Sequence, residues 1–289
     1  MPMSRIVGGL LALAVLACEV STPPAGKAPA KNPAAPAKAE ASPAANPPAG
    51  ANEPAAPTEP PWSTAAGLAY REVLLGTAEP NDPLPMIVAI HGLGDTPDNF
   101  RHLLATFPEP ARLILPRGLD ATEGGGWSWF PIRARDPDVE ALSEGIATAA
   151  DRIAAGIEDL RKERPTVGKP VVTGFSQGGM LTFTLAVKHP DLVGQAVAVG
   201  GWLPPPLVPE KRADGVDYPS IHALHGTTDR AVAYEPTKLA VDTLVERGFD
   251  VTLHTYDGVG HMITPPMRQD LYDRITDAIA KEHRRKPAQ

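Results

Sequence analysis

Between residues 68 and 279 the chain alternates two kinds of segment, and that alternation leaves few folds open. Short apolar runs are separated by longer stretches with helical periodicity: LAYREVLL (68–75), MIVAIHG (86–92), ARLILP (111–116), PVVTG (170–174), QAVAVGG (195–201), SIHALHG (220–226) and DVTLHTY (250–256). The runs are continuous rather than alternating in polarity, as parallel strands buried on both faces require. From Asp138 to Arg164, the residues Val139, Leu142, Ile146, Ala150, Ile153, Ile157 and Leu160 recur at every third or fourth position, one face of a helix. Asp136, Asp138 and Glu140 crowd the start of that stretch, and Arg161, Lys162 and Arg164 its end. This order suits the helix dipole, and Pro165 stops the helix. Tyr234 to Arg247, closed by Gly248, predicts a second helix, and Met267, Leu271, Ile275 and Ile279 mark a last one. Strands alternating with helices predict an α/β fold, with a mostly parallel central sheet and helices on both faces, a three-layer sandwich.

The first 61 residues do not follow this pattern. MPMSRIVGGLLALAVLAC has one early charge, Arg5, and then an apolar run from Ile6 to Ala17. The run is too short to span a bilayer as an ordinary helix and has the form of an export signal. It ends in Val15-Leu16-Ala17-Cys18, which resembles a bacterial lipobox. Residues 1–18 therefore read as a lipoprotein-type signal peptide, with Cys18 as the lipidated residue. Cys18 is the only cysteine, which excludes an intrachain disulfide and a cysteine-based metal cluster. Residues 19–61 hold 14 alanines and 12 prolines with almost no aromatic or branched apolar side chains. Such a segment buries too little surface to offset the entropy of ordering it, and its prolines favour extended conformers. It reads as a disordered linker between a membrane anchor and a globular domain, residues 62–289. The expected location is the cell envelope, facing the periplasm or the surface. The formal charge is −7 and no long basic run exists outside the last few residues, so nucleic acid is not an expected partner.

One junction carries chemistry. KPVVTGFSQGGML (169–181) sets Gly174-Phe175-Ser176-Gln177-Gly178 directly between a strand-like run and a helical stretch. Glycine weakens both kinds of element, so three of them around one serine need a reason. In this context a Gly-x-Ser-x-Gly sequence makes a sharp, strained turn. The serine hydroxyl points away from the sheet, and its neighbours must be small because strand and helix nearly touch. The helix N-terminus then offers N–H groups and positive potential to a developing oxyanion. A serine hydroxyl is a weak nucleophile and needs a base that is itself oriented by an acid. Asp229 in LHGTTDR and His261 in YDGVGHM follow in the order Ser, Asp, His. Both fall at the carboxyl ends of strands, where sites in open α/β sheets lie. Asp257 and Asp214 are alternative acids, and Asp257 also suits a local turn.

The other histidines have plainer readings. His222, His225 and His254 sit in strand-like runs, where packing or a local hydrogen bond suffices, and His189, His102 and His283 lie on helices or in the charged tail. No pair has metal-ligand spacing, and a serine nucleophile with its own base and orienting acid implies neither a metal nor an organic cofactor. A second oxyanion donor belongs on a loop after an early strand. In AIHGLGDTPDNF, Gly92 and Gly94 flank Leu93 and free its N–H, which pairs with the N–H of Gln177 as the expected oxyanion hole.

Taken in order, HGLGD, GFSQGG, GWLP (201–204), HGTTD and GVGH resemble the phospholipase/carboxylesterase family of the α/β-hydrolase superfamily, which includes acyl-protein thioesterases. The resemblance spans most of residues 70–282. It implies hydrolysis of carboxylic esters or thioesters, with Ser176 as nucleophile, His261 as base, Asp229 as its orienting acid, and Leu93 and Gln177 as oxyanion donors. Two departures fall where an acyl pocket is expected. Pro131 stands where the family often has an aspartate, and Gly200 where a serine is common. Nearby Trp127, Trp129, Phe130 and Trp202 could line that pocket or simply cover the core. Arg133 and Arg135 could attract an anionic group or belong to a solvated loop. The leading expectation is a serine esterase acting on small-molecule or lipid esters, as a monomer or weak dimer. A polyester depolymerase or feruloyl-esterase-like hydrolase is the alternative within enzymes. A non-catalytic envelope binding protein is the alternative outside them.

Overall fold

The computed structural model describes residues 62–284. The signal-peptide reading of 1–18, the lipidation reading of Cys18 and the linker reading of 19–61 lie outside the described residues. The strands are β1 Ser63–Ala65, β2 Leu68–Leu75, β3 Met86–Ile90, β4 Ala111–Pro116, β5 Asp120–Ala121, β6 Trp127–Ser128, β7 Val171–Phe175, β8 Gln195–Val199, β9 Ser220–Gly226 and β10 Val251–Tyr256. The helices are α1 Pro97–Phe100, α2 Val139–Glu163, α3 Gln177–Lys188, α4 Tyr234–Glu246 and α5 Pro265–Arg284, with short 3-10 turns at Arg101–Leu103 and Pro205–Leu207. Eight strands form one sheet in the order β1-β2-β4-β3-β7-β8-β9-β10, and β5 and β6 pair as a separate ribbon. From β4 through β10 every neighbouring pair in that sheet is parallel.

Alternation within each strand sorts the helices into two layers. Val88 and Ile90 of β3 pack with α2, α3 and α4 in one core, while Ile87 and Ala89 pack with α5 and the Phe100–Phe107 segment in another. The result is the three-layer α/β sandwich that the alternation predicts. Helix α3 lies innermost, with every residue from Gln177 to Val187 buried. Helix α2 starts where its charges place it: the Asp138 carboxylate caps it by accepting from the Ala141 N–H at 3.0 Å, and Arg164 ends it before Pro165.

The expectation of parallel strands buried on both faces fails at the two ends of the sheet. β2 runs antiparallel to both β1 and β4 and is only partly buried. It turns back from β1 through Ala66 and Gly67, both at positive φ (47° and 79°), a two-residue hairpin turn whose twist matches the strands. β10 has a neighbour on one side only and is half-exposed.

Candidate active site

Strand β7 runs into α3 through a single residue, Ser176, held at φ 58° and ψ −117°. A non-glycine residue there stores on the order of 1–3 kcal/mol of strain, so its surroundings must hold it in place. They do: the Ser176 N–H donates to Val199 O and its carbonyl accepts from Met180 N–H, both at 3.0 Å. The flanking glycines are required by contact. A Cβ on Gly174 would fall 2.4 Å from Gly178 O, and one on Gly178 would fall 2.0 Å from Ile90 O. Ser176 occupies the cap position of α3, yet its hydroxyl makes no capping bond.

That hydroxyl lies 2.9 Å from His261 Nε2 instead. His261 comes from the loop after β10, and its ring stacks on Phe175 at 4.6 Å between centroids. Its Nδ1 lies 2.7 Å from Asp229 Oδ2. Asp229 follows β9, and its other oxygen accepts from the Ala231 and Val232 N–H groups, each at 2.9 Å. Burial alone would raise the Asp229 pKa, but the hydrogen bond and charge of His261 and the two amides outweigh it, and the carboxyl is held below its ordinary value. An ionised Asp229 accepts a hydrogen bond from the Nδ1–H, which keeps the proton on Nδ1 and leaves Nε2 free to accept from the serine. Beneath this pair, buried His225 places Nε2 3.0 Å from Val232 O and 3.5 Å from Asp229 Oδ2. Burial lowers its pKa and keeps it neutral, so it donates to Val232 O and steadies the loop that carries Asp229.

The glycine-flanked Leu93 sits opposite. Gly94 N–H donates to Trp127 O at 2.9 Å, Trp127 N–H to Asp95 O at 3.0 Å, and Asp95 N–H to Gly92 O at 3.3 Å. Among the described residues no backbone hydrogen bond uses the Leu93 N–H. Gln177 is the first residue of α3, so its N–H has no partner within the helix. Leu93, Ser176 and Gln177 line one cleft, and among the described residues neither the Leu93 nor the Gln177 amide is used by a backbone hydrogen bond of the fold.

Two side chains that the sequence reading did not single out fasten these loops together. The Gln177 carboxamide accepts from Trp129 N–H at 3.0 Å and donates to Phe130 O at 2.9 Å. His91 accepts from Gly118 N–H on Nε2 at 3.0 Å and donates from Nδ1 to Gly92 O at 2.7 Å. Its own carbonyl receives the Trp129 indole N–H at 2.9 Å. Burial depresses the His91 pKa, the partial opposition of Gly92 O and Asp95 notwithstanding, so the ring is neutral and holds this tautomer. The one available signal was its place in HGLGD, next to the loop expected to hold an oxyanion.

The aromatic readings need correction. Trp129 and Phe130 are fully buried and cover the core; they do not line the space beside Ser176. Their main chains receive Gln177, which pulls them inward. Trp202 is half-buried and borders a separate apolar cavity of about 690 Å³ against α4. The space beside Ser176 and His261 is a cleft of about 740 Å³, bounded by Leu93, Met180, Val232 and the arginines 133, 135 and 230. Two of its walls are Arg133, Ala134 and Arg135 on one side and Thr228, Arg230, Ala231 and Val232 on the other. Among the described residues no cluster of three His, Cys, Asp or Glu is arranged to hold a metal, and no helix is long and apolar enough to cross a membrane.

Comparison with known proteins shows the family and the fold. A sequence model of the phospholipase/carboxylesterase family matches residues 77–279. An acyl-protein thioesterase 1 from Neurospora crassa is 29% identical over 75% of this chain and 95% of its own length. The Arabidopsis thaliana carboxylesterase SOBER1 is 27% identical over 47% of this chain and 61% of its own length. The crystal structure of esterase PE8 superposes with a TM-score of 0.63 at 22% identity, covering 73% of this chain and 99% of that one. That structural likeness carries the fold, the α/β-hydrolase fold.

Proposed function

The chain belongs to the phospholipase/carboxylesterase family of ester-cleaving hydrolases, and on that premise we propose that it cleaves carboxylic esters or thioesters through an acyl-enzyme on Ser176. The observation that carries this reading is the unbroken hydrogen-bonded chain from Ser176 Oγ to His261 to Asp229, set at a helix N-terminus. His261 Nε2 takes the hydroxyl proton as Oγ bonds to the carbonyl carbon. The oxyanion is held by the N–H groups of Leu93 and Gln177, a contribution of about 10²–10³ in rate for each donor. The protonated His261 returns its proton to the departing alcohol or thiol as that bond breaks. A water molecule, deprotonated by the same Nε2, then attacks the acyl-enzyme and releases the acid and Ser176. Asp229, ionised throughout, keeps the imidazole in the productive tautomer. The test is Ser176→Ala with p-nitrophenyl butyrate, where kcat should fall by about 10⁶. Turnover like that of the wild type would refute the assignment.

Residues 1–18 are read as a lipoprotein signal and residues 19–61 as a spacer, which places the enzyme on the envelope. Support comes from the single cysteine at the end of the apolar run and the Ala/Pro-rich composition that follows. Metabolic labelling with palmitate should mark the wild-type chain and not Cys18→Ser; equal labelling of both would contradict the anchor.

A further inference from the structure

The cleft beside Ser176 carries charge of one sign. Arg133 and Arg135 come from the loop between β6 and α2, and Arg230 from the loop after β9; all three line the cleft that holds Ser176. No aspartate or glutamate shares that lining. Asp229 is adjacent to Arg230 in sequence but is buried and taken up by His261 and two amides. Asp136 and Asp138, next to the other two arginines, are turned to backbone N–H groups at the start of α2. Among the described residues none of the three arginines is paired with a carboxylate. The Arg135 guanidinium donates to the backbone oxygen of Arg230, which ties the two walls together and keeps the cations close. The chain as a whole is acidic, with a formal charge of −7, so composition alone does not account for a purely cationic cleft.

Guanidinium groups present a planar fork of donors that matches a carboxylate or a phosphate. A cleft lined by one sign of charge also concentrates counter-ions within it. From this arrangement, and resting on the serine-hydrolase reading above, we infer that the enzyme selects esters that carry a negative charge, a carboxylate or a phosphate, beside the bond to be cleaved. The anion binds Arg133 and Arg230 while the carbonyl reaches Ser176. It is unchanged by the reaction: only the acyl C–O or C–S bond breaks, with water as co-substrate.

The experiment compares kcat/KM for matched esters within each enzyme. One pair puts the charge on the acyl side, p-nitrophenyl hydrogen adipate against p-nitrophenyl heptanoate. The other puts it on the leaving group, 4-carboxyphenyl butyrate against phenyl butyrate. The wild type should favour the anionic ester of at least one pair, and added salt should erode that preference. The double variant Arg133→Gln with Arg230→Gln, which keeps the Arg135 tie, should lower the anionic-to-neutral ratio about 10- to 100-fold, the worth of one or two hydrogen bonds to a charged group. Arg133→Lys with Arg230→Lys should retain most of the preference. An unchanged ratio in the glutamine variant for both pairs, with neutral esters turned over by the wild type, would overturn the anionic preference and leave the hydrolase reading standing. Wild-type turnover no greater than that of Ser176→Ala on every ester would overturn both.

Discussion

Ser176, His261 and Asp229 are fixed from several sides, whereas Arg133 and Arg230, across the same cleft, have no carboxylate partner among the described residues. The floor of the cleft uses buried amides, a neutral histidine and contacts between glycines closer than any side chain allows. The wall uses long, exposed side chains on loops. The difference separates two tasks. Bond cleavage needs atoms held within a few tenths of an ångström, which only over-determined backbone and buried hydrogen bonds supply. Choice of substrate needs charge and reach, which loops can supply and change without disturbing the fold.

If floor and wall are separate in this way, changes to the floor should cost turnover, and changes to the wall should cost discrimination. After loss of the Ser176 hydroxyl itself, the largest effect is expected from Asp229→Asn. It preserves shape but offers His261 an amide in place of a carboxylate, and kcat should fall by about 10⁴. A loss under tenfold in a folded protein would remove Asp229 from the mechanism. Next comes Gln177→Ala, which keeps the Gln177 N–H but strands Trp129 N–H in the core and leaves Phe130 O with the Ser128 hydroxyl as its remaining donor. Unfolding by denaturant should show a loss of about 1–3 kcal/mol for the buried Trp129 N–H left unpaired. The loss in kcat should be smaller than for Asp229→Asn. An unchanged midpoint would mean that the carboxamide does not hold the loop.

The smallest effect is on stability with pH. His91 has its pKa depressed by burial, so below about pH 6.5 the unfolded chain binds a proton that the folded one refuses. The stability from neutral His91 is complete above that value and is lost as pH falls towards the folded pKa. Buried His225 and half-buried His222, the latter pushed down to about 4, tilt the curve the same way. His91→Gln should therefore flatten the fall of Tm below pH 6.5 only in part, and an identical slope would show that His91 is not buried and neutral.

The floor was largely legible in the sequence because its demands are local. Glycine on both sides of Ser176 follows from the approach of Gly178 to Ile90 O, and the order Ser, Asp, His follows from which strand ends the sheet brings together. The parallel strands were legible for the same reason. What was hidden depends on partners distant in sequence. The direction of β2 is set by its hairpin with β1, which has no apolar run of its own to mark it. Trp129 and Phe130 carry the composition of a pocket wall, but Gln177 draws their backbone into the core. Arg230 meets Arg135 only because the loop after β9 folds over the segment before α2. Nothing in LHGTTDR distinguishes that arginine from a solvated one.

The central claim is that Ser176 is a nucleophile activated by His261. It is tested most directly by treating the folded protein with a fluorophosphonate and following intact mass, with the adduct mapped by peptide digestion. The account predicts a single adduct on the peptide containing Ser176, formed rapidly in the wild type and at a small fraction of that rate in His261→Gln. No adduct on folded wild-type protein, or equal labelling rates in the two, would contradict it.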